Sequence, residues 1–278
     1  MDLNALWVGK SLPPLQRLCL ASAVGTGARV RLFTYEPVEG IPPGVEVVDG
    51  NEVLGLDKMV RHRKSQSVAL FSDRFRYEVL AKGLGAWFDT DMLFLKAPHE
   101  TGDYLVGWQE PELVSAGFIW VTPGHPLIND LRQHAFDQHP IPGWYPLWRR
   151  IYLSVRKAVG LPQHVSDSDW GVIGPNLLTW LLQKHKMTSE IRPVSWSCGL
   201  PWQERRTIWD GSYDWRKWVT PDTVCVHLWN HGLTKEERAR KPEPGSLLQT
   251  VADGCGFAWP EVDEGALKGE ANCQPNNL

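Results

Sequence analysis

Asp89 and Asp91 stand on either side of one threonine in the run Ala86-Trp87-Phe88-Asp89-Thr90-Asp91-Met92-Leu93-Phe94-Leu95. Strand side chains alternate faces, so two carboxylates at this spacing project from one side of a sheet. They repel each other unless a cation sits between them. Hard divalent ions such as Mn²⁺ and Mg²⁺ take oxygen ligands, commonly a couple of carboxylates plus the phosphates of a nucleotide. By itself Asp-x-Asp is a weak signal, and a solvated turn is its ordinary setting. Here the neighbours on both sides are apolar, which predicts an interior strand. Unpaired acids in such a place are costly.

The residues just upstream predict a helix. Val68, Phe71, Phe75, Val79 and Leu80 form an apolar stripe near helical spacing. Asp73 and Arg76, three apart, share a face. Such a pair is ordinarily a surface ion pair of little weight. Leu70, Phe71, Phe75 and Tyr77 make this stretch too apolar for a wet surface. The preferred reading therefore has the pair leaning over the strand end, placed to hold the hydroxyls of a sugar.

Together these residues, SDRFRYEVLAKGLGAWFDTDMLFL, resemble the core signature of the DXD-containing glycosyltransferases. These are the enzymes related to the yeast initiating mannosyltransferase, bacterial capsular and lipopolysaccharide sugar transferases and, distantly, the large glucosylating toxins. The shared pattern is Ser-Asp, two residues, Arg-Tyr, a glycine-containing turn, an aromatic and Asp-x-Asp. One departure is visible: Leu84 separates Gly83 from Gly85, where the family usually has adjacent glycines. Little effect is expected, because one glycine is enough to leave a helix in the left-handed conformation.

The resemblance implies a GT-A-like single α/β domain with a mostly parallel central sheet flanked by helices. It implies Mn²⁺ or Mg²⁺ and a nucleotide-sugar donor, UDP-linked. Asp91 would hold the metal directly, and Asp89 the metal, ribose or sugar. Asp73 and Arg76 would grip the donor hexose. Trp7, in an opening Trp-x-Gly context, would stack on the uracil, with core packing as its ordinary alternative. Ser115, in a small-residue strand leading to Pro123-Gly124-His125-Pro126, is a further donor contact. The stretch Gly174-Pro175-Asn176-Leu177-Leu178-Thr179 resembles the family's helix start beside the acceptor pocket. Asp169, just before it, is the candidate acceptor contact, a helix cap or turn being its ordinary role. Val224 to His231 resembles the closing his-x-trp element. His227 would then be a further metal ligand, with Trp229 and Asn230 against the diphosphate or the sugar.

The elements that must position these groups are read from periodicity. Short apolar runs at 5–9, 30–35, 45–48, 104–108 and 116–121 predict strands, and Leu15 to Val24 predicts a helix opening near Pro13-Pro14. Strands alternating with helices imply a largely parallel, doubly covered sheet with ligands at its carboxyl ends. The expected organisation is one domain over 1–240, its nucleotide-sugar half about 1–110 and its acceptor half about 111–240. A loosely packed tail is expected over 241–278.

A net charge of -3 provides no basic field for nucleic acid. Nothing approaches the roughly 18 apolar residues that span a bilayer, and no opening segment reads as a cleavable signal, so a cytoplasmic protein is expected. The five cysteines (Cys19, Cys198, Cys225, Cys255, Cys273) are scattered and lack metal-ligand spacing, which fits free thiols. Fifteen tryptophans is about four times the usual share; with many between Trp144 and Trp229, a sugar-binding surface is expected. Residues 144–160 predict a basic amphipathic helix bearing aromatics. It suits either a solvated domain face or an anionic membrane surface, where a lipid-linked acceptor would sit.

The function these signals favour is a metal-dependent, retaining transferase. It would move a hexose or N-acetylhexosamine from a UDP-sugar to a hydroxyl of a glycan or glycolipid of the capsule or lipopolysaccharide type. Two alternatives stay open: a non-enzymatic carbohydrate-binding protein, and a phosphatase of the haloacid-dehalogenase type, whose nucleophile loop Asp-Thr-Asp also resembles.

Overall fold

The computed structural model describes residues 1–99 and 101–260. Its strands are β1 (Leu3–Leu6), β2 (Val30–Thr34), β3 (Val45–Asp49), β4 (Ala86–Phe88), β5 (Met92–Phe94), β6 (Tyr104–Leu105), β7 (Trp108–Glu110), β8 (Leu113–Val114), β9 (Phe118–Val121) and β10 (Cys225–His227). Six of them form the central sheet in the order β3-β2-β1-β4-β9-β6. The first four run parallel, and β9 is antiparallel to both of its neighbours. This is the mostly parallel, helix-flanked α/β domain that the sequence leads one to expect.

Period-two alternation assigns the two faces. Leu3, Ala5, Val30, Leu32, Ala86 and Phe88 meet Leu20 and Ala23 of helix α1 (Pro14–Gly25). Proline at the first helical position suits the start of α1, since it lacks only an N–H that would be unbonded anyway. On the other face Leu6, Phe33 and Trp87 meet Phe71, Phe75 and Val79 of α2 (Ala69–Ala81). The outer side of α2 carries Leu70, Tyr77 and Leu80 into a second core. That core is shared with α3 (Pro126–Ala135) and, beyond α4 (Leu147–Ala158), with α5 (Pro175–Lys184).

Several expectations need correcting. The acidic run is not one strand. The chain leaves the central sheet after Phe88, turns through Asp89-Thr90-Asp91, and enters β5, which pairs antiparallel with β10 in a separate ladder. Backbone bonding decides this: the Met92 N–H donates to the Asp89 carbonyl at 3.0 Å, closing a turn. The acids therefore meet through turn geometry rather than strand alternation, and the turn is buried rather than solvated, with Asp91 6% exposed.

The two glycines after α2 both adopt positive φ, +63° at Gly83 and +113° at Gly85. At Gly85 a Cβ would lie 2.4 Å from the Asp2 carbonyl oxygen, so the second glycine has a packing role of its own.

The segment expected as a loose tail divides. After α6 (Lys235–Ala239), residues Leu247–Cys255 form α7, which buries Leu247, Leu248 and Ala252 against Leu15, Leu18 and Cys19 of α1. The rest of that expectation, 261–278, lies outside the described residues. The four described cysteines are free.

Candidate active site

Asp73, Arg76, Asp89, Asp91, His227 and Trp229 line one cleft of about 280 Å³, formed between α2, the Asp89–Asp91 turn, the end of β10 and the start of α5. Helix α2 brings two of them, and its sequence explains how. It has no glycine or proline between Ala69 and Ala81 and is buried from Leu70 through Leu80. Its charges are accordingly all engaged. Arg74 Nε donates to the Ala135 carbonyl at 2.9 Å, and Arg132 pairs with Glu78 at 2.7 Å.

Arg76 is the cross-tie of the cleft. It donates to the Ala116 carbonyl at 2.5 Å and to Asp89 Oδ1 at 3.0 Å, and it lies 3.3 Å from Asp73 Oδ1. The Trp87 indole N–H also donates to Asp89 Oδ1, at 2.9 Å. Both contacts fall on Oδ1, while Oδ2 lies beside Gly117, where a Cβ would be 3.5 Å away.

Asp91 is held from the other side. Its Oδ2 accepts from the Asn230 backbone N–H at 3.0 Å and lies 3.2 Å from His227 Nε2. Its carbonyl accepts from the Leu228 N–H. Trp229 makes the Asn230 contact feasible by adopting the left-handed conformation, φ 54° and ψ 45°. A bulky residue there costs about 1–3 kcal/mol of local strain and needs surroundings that hold it in place. The Trp229 indole N–H supplies part of that, donating to the Leu200 carbonyl at 2.8 Å.

The surroundings push the acids apart in proton affinity. Burial pushes Asp73 up to about 6, against the pull of Arg76. Burial also raises Asp89, with Arg76 opposing and Asp91 adding to the rise. For Asp91 burial acts upward too, but His227 and the Asn230 N–H outweigh it and hold the carboxyl below its ordinary range. On His227 burial acts downward, and Asp91 overcomes it and raises the imidazole well above its usual value.

These groups can be tested against a divalent ion. The described residues contain no gathered set of three His, Cys, Asp or Glu side chains ready to enclose one. Asp89 and Asp91 nevertheless each commit one oxygen to the protein frame, leaving hard oxygen donors of the right class. Three acids facing Arg76 and His227 leave the cleft short of positive charge. Among the cleft-lining residues, Arg76 keeps a buried Nε without a hydrogen-bond partner. The carboxylates fit a divalent ion. His227 is occupied by its ion pair with Asp91 and would have to release it to serve as a ligand.

Other expected residues lie elsewhere. Trp7 is 8% exposed, packs among Leu3, Ala5 and Phe88, and does not line the cleft. Ser115 is buried, its hydroxyl accepting from the Gly117 N–H at 3.2 Å. Asp169 stands outside the cleft lining in an ion pair with Arg149 at 2.5 Å. Asn230 contributes its backbone N–H, and its side chain is buried. The expected tryptophan surface is mostly core: Trp196, Trp209, Trp215 and Trp218 are buried, and of the group between 144 and 229 only Trp170 and Trp229 reach the cleft.

The sequence reading did not single out His231, and it took Gly174 and Asn176 only as part of a helix start beside the acceptor pocket and Gly117 only as part of a small-residue strand. Gly174 is needed because a Cβ there would stand 2.8 Å from Asp73 Oδ1. His231 lines the cleft and stacks on Trp202 at 4.6 Å; its position four residues after His227 was the available clue.

No family profile matches the sequence, and no curated protein matches it. Among solved structures, the chain is similar to a PaToxG glycosyltransferase, with TM-score 0.40 and 14% identity over 66% of this chain and 68% of that one. It is also similar to a transferase mutant, with TM-score 0.31 and 12% identity over 59% of this chain and 87% of that one. Neither likeness bears on the chemistry of the cleft.

Proposed function

We propose that the chain is a metal-dependent glycosyltransferase that moves a hexose or N-acetylhexosamine from a UDP-sugar to a hydroxyl of a glycan or glycolipid. The observation that carries this reading is the buried Asp89–Asp91 turn. Its two carboxylates share a cleft with Asp73 and Arg76 of α2 and with the His227–Trp229 end of β10. Resemblance of residues 72–95 to the DXD-containing transferases supports it independently.

Asp89 and Asp91 would hold Mn²⁺ or Mg²⁺, which as a Lewis acid neutralises charge building on a departing diphosphate. Arg76, fixed by the Ala116 carbonyl and Asp89, sets the position of Asp73 so that both reach donor hydroxyls. His227 and the Asn230 N–H hold Asp91 in its ionised form.

Configuration is retained through same-face attack. The described acids of the cleft are Asp73, Asp89 and Asp91, each already tied to Arg76 or His227. A glycosyl adduct trapped on any of them would overturn that part of the mechanism.

The test is thermal stabilisation by UDP with and without Mn²⁺, followed by a screen of sugar nucleotides for Mn²⁺-dependent hydrolysis. Stabilisation that requires both UDP and metal, with turnover of one donor, is the expected result. Stabilisation by free sugars alone would make the protein a carbohydrate binder. Phosphate release from simple phosphomonoesters would make it a phosphatase.

A further inference from the structure

Helix α4 faces the wrong way for an ordinary surface helix. Leu147, Trp148, Ile151, Tyr152 and Val155, with Val159 just past its end, are between 53% and 70% exposed. At 3.6 residues per turn they fall within an arc of about 140°. Leu153, on the opposite side, is the one buried residue of the helix. The helix thus turns its apolar stripe to solvent and rests on the domain through its narrower side.

Its cations occupy the borders between stripe and protein. Arg149 and Arg156 lie along one border, Arg150 and Lys157 along the other. Arg149 is anchored by Asp169 and stacks 3.8 Å over the Tyr145 ring. Lys157 reaches the His139 carbonyl at 3.3 Å. The segment from Trp144 to Leu161 has these four cations and no acid, in a chain whose net charge is -3.

From this arrangement we infer that α4 docks the protein on an anionic lipid bilayer, lying in the plane of the interface with its apolar stripe among the acyl chains. An in-plane helix needs an apolar face, flanking basic residues and aromatic side chains at the polar boundary, and α4 has all three. At twelve residues it is about 18 Å long, too short to cross the hydrocarbon core. Charge decides against a second copy as the occupant. A two-fold contact would bring the same four cations against themselves, whereas anionic headgroups neutralise them. The ion pair between Arg149 and Asp169, the neighbour of cleft-lining Trp170, places the docked surface close to the cleft wall. The docking does not depend on the transferase reading.

The experiment is co-sedimentation of the full chain with mixed phosphatidylcholine–phosphatidylglycerol vesicles and with phosphatidylcholine alone. Binding to the mixed vesicles should be at least about tenfold tighter and should weaken as salt is raised. The double variant Ile151→Glu/Val155→Glu should reduce it by about tenfold or more. Arg150→Glu should weaken it by about fivefold or more. Circular dichroism and melting should match the parent for both, since Arg150, Ile151 and Val155 are exposed on α4. Failure to bind the mixed vesicles overturns the inference, as does equal binding by the Ile151/Val155 variant. A dimer in sedimentation velocity that the same variant dissolves would show that another copy covers the stripe, and would overturn it equally.

Discussion

Helices α2 and α4 have nearly the same length, thirteen and twelve residues, and both invert the usual arrangement of a surface helix. In α2 the charges Asp73, Arg74, Arg76 and Glu78 are buried. In α4 the large apolar side chains are exposed. A buried charge is tolerated only where partners offset its lost hydration, and every charge of α2 has one. An exposed apolar stripe needs no partner to persist, but it leaves stabilising burial unrealised until something covers it. The inward inversion gathers charge at the cleft, and the outward one leaves an apolar stripe facing solvent.

The largest expected effect tests whether the buried charges serve a reaction. Asp91→Asn should lower donor turnover by at least about a thousandfold, because a neutral amide holds a divalent ion far more weakly than a carboxylate does. The Asn230 N–H can still donate to the amide oxygen, so the fold should survive, checked by circular dichroism. Turnover within a few-fold of the parent would remove Asp91 from the chemistry.

Stability should separate the two helices next. Phe75, fully buried and in ring contact with Phe33, Phe71 and Trp87, should cost about 3–5 kcal/mol when replaced by alanine. Ile151→Ala, on the exposed stripe, should stay within about 0.5 kcal/mol in lipid-free solution. Urea unfolding of both variants measures the contrast. A large cost at Ile151 would mean that the stripe is already covered by protein.

Arg76→Lys comes third. One ammonium cannot reproduce the three-way geometry to the Ala116 carbonyl, Asp89 and Asp73. Turnover should fall by about a hundredfold with a smaller loss of stability, because the positive charge stays. An unchanged kcat/KM would show that charge alone matters and that the guanidinium fork does not position the acids.

Much of this was legible in the chain. The strand–helix alternation gave the parallel sheet, and the apolar neighbours of Asp73, Arg76, Asp89 and Asp91 pointed to burial, which holds for Asp73, Arg76 and Asp91 while Asp89 is half-buried. Periodicity could not reveal that the chain changes sheets between Phe88 and Met92. A turn buried by long-range contacts has the same apolar flanks as an interior strand, and only the β5–β10 pairing distinguishes them. Trp7 and the tryptophans between 144 and 229 were misplaced for a related reason: a large ring suits a core as well as a sugar, and residue type alone does not say which. The approach of Gly174 to Asp73 and of Gly117 to Asp89 was not readable, because close approach to a carboxylate leaves no pattern in the neighbouring sequence. The two-sided character of α4 was readable, but not which side would face the protein, since that is set by Leu153 and the tethers to Asp169 and His139.

The smallest predicted effect concerns Asp73 and carries the comparison to its electrostatic root. Its carboxyl titrates near 3.8 when solvated and is raised to about 6 in the folded chain, burial being the main cause. The native state therefore binds more protons than the unfolded state between those values. This favourable contribution is present in full below about pH 4 and is lost as pH rises through about 6. Above that, the folded chain carries a buried carboxylate only partly offset by Arg76. In Asp73→Asn the amide resembles the protonated acid at every pH, so the variant and the parent should be nearly equal in stability near pH 4. By pH 7 the variant should lead by a margin on the order of 2–3 kcal/mol, the linkage value of a shift of about two pH units. Denaturant unfolding of both proteins without metal across pH 4–7 measures that difference, and trends shared by both, such as the opposite one from Asp91, cancel. A flat difference would mean that Asp73 is already solvated in the folded chain, and that this part of α2 is no more unusual than a wet surface helix.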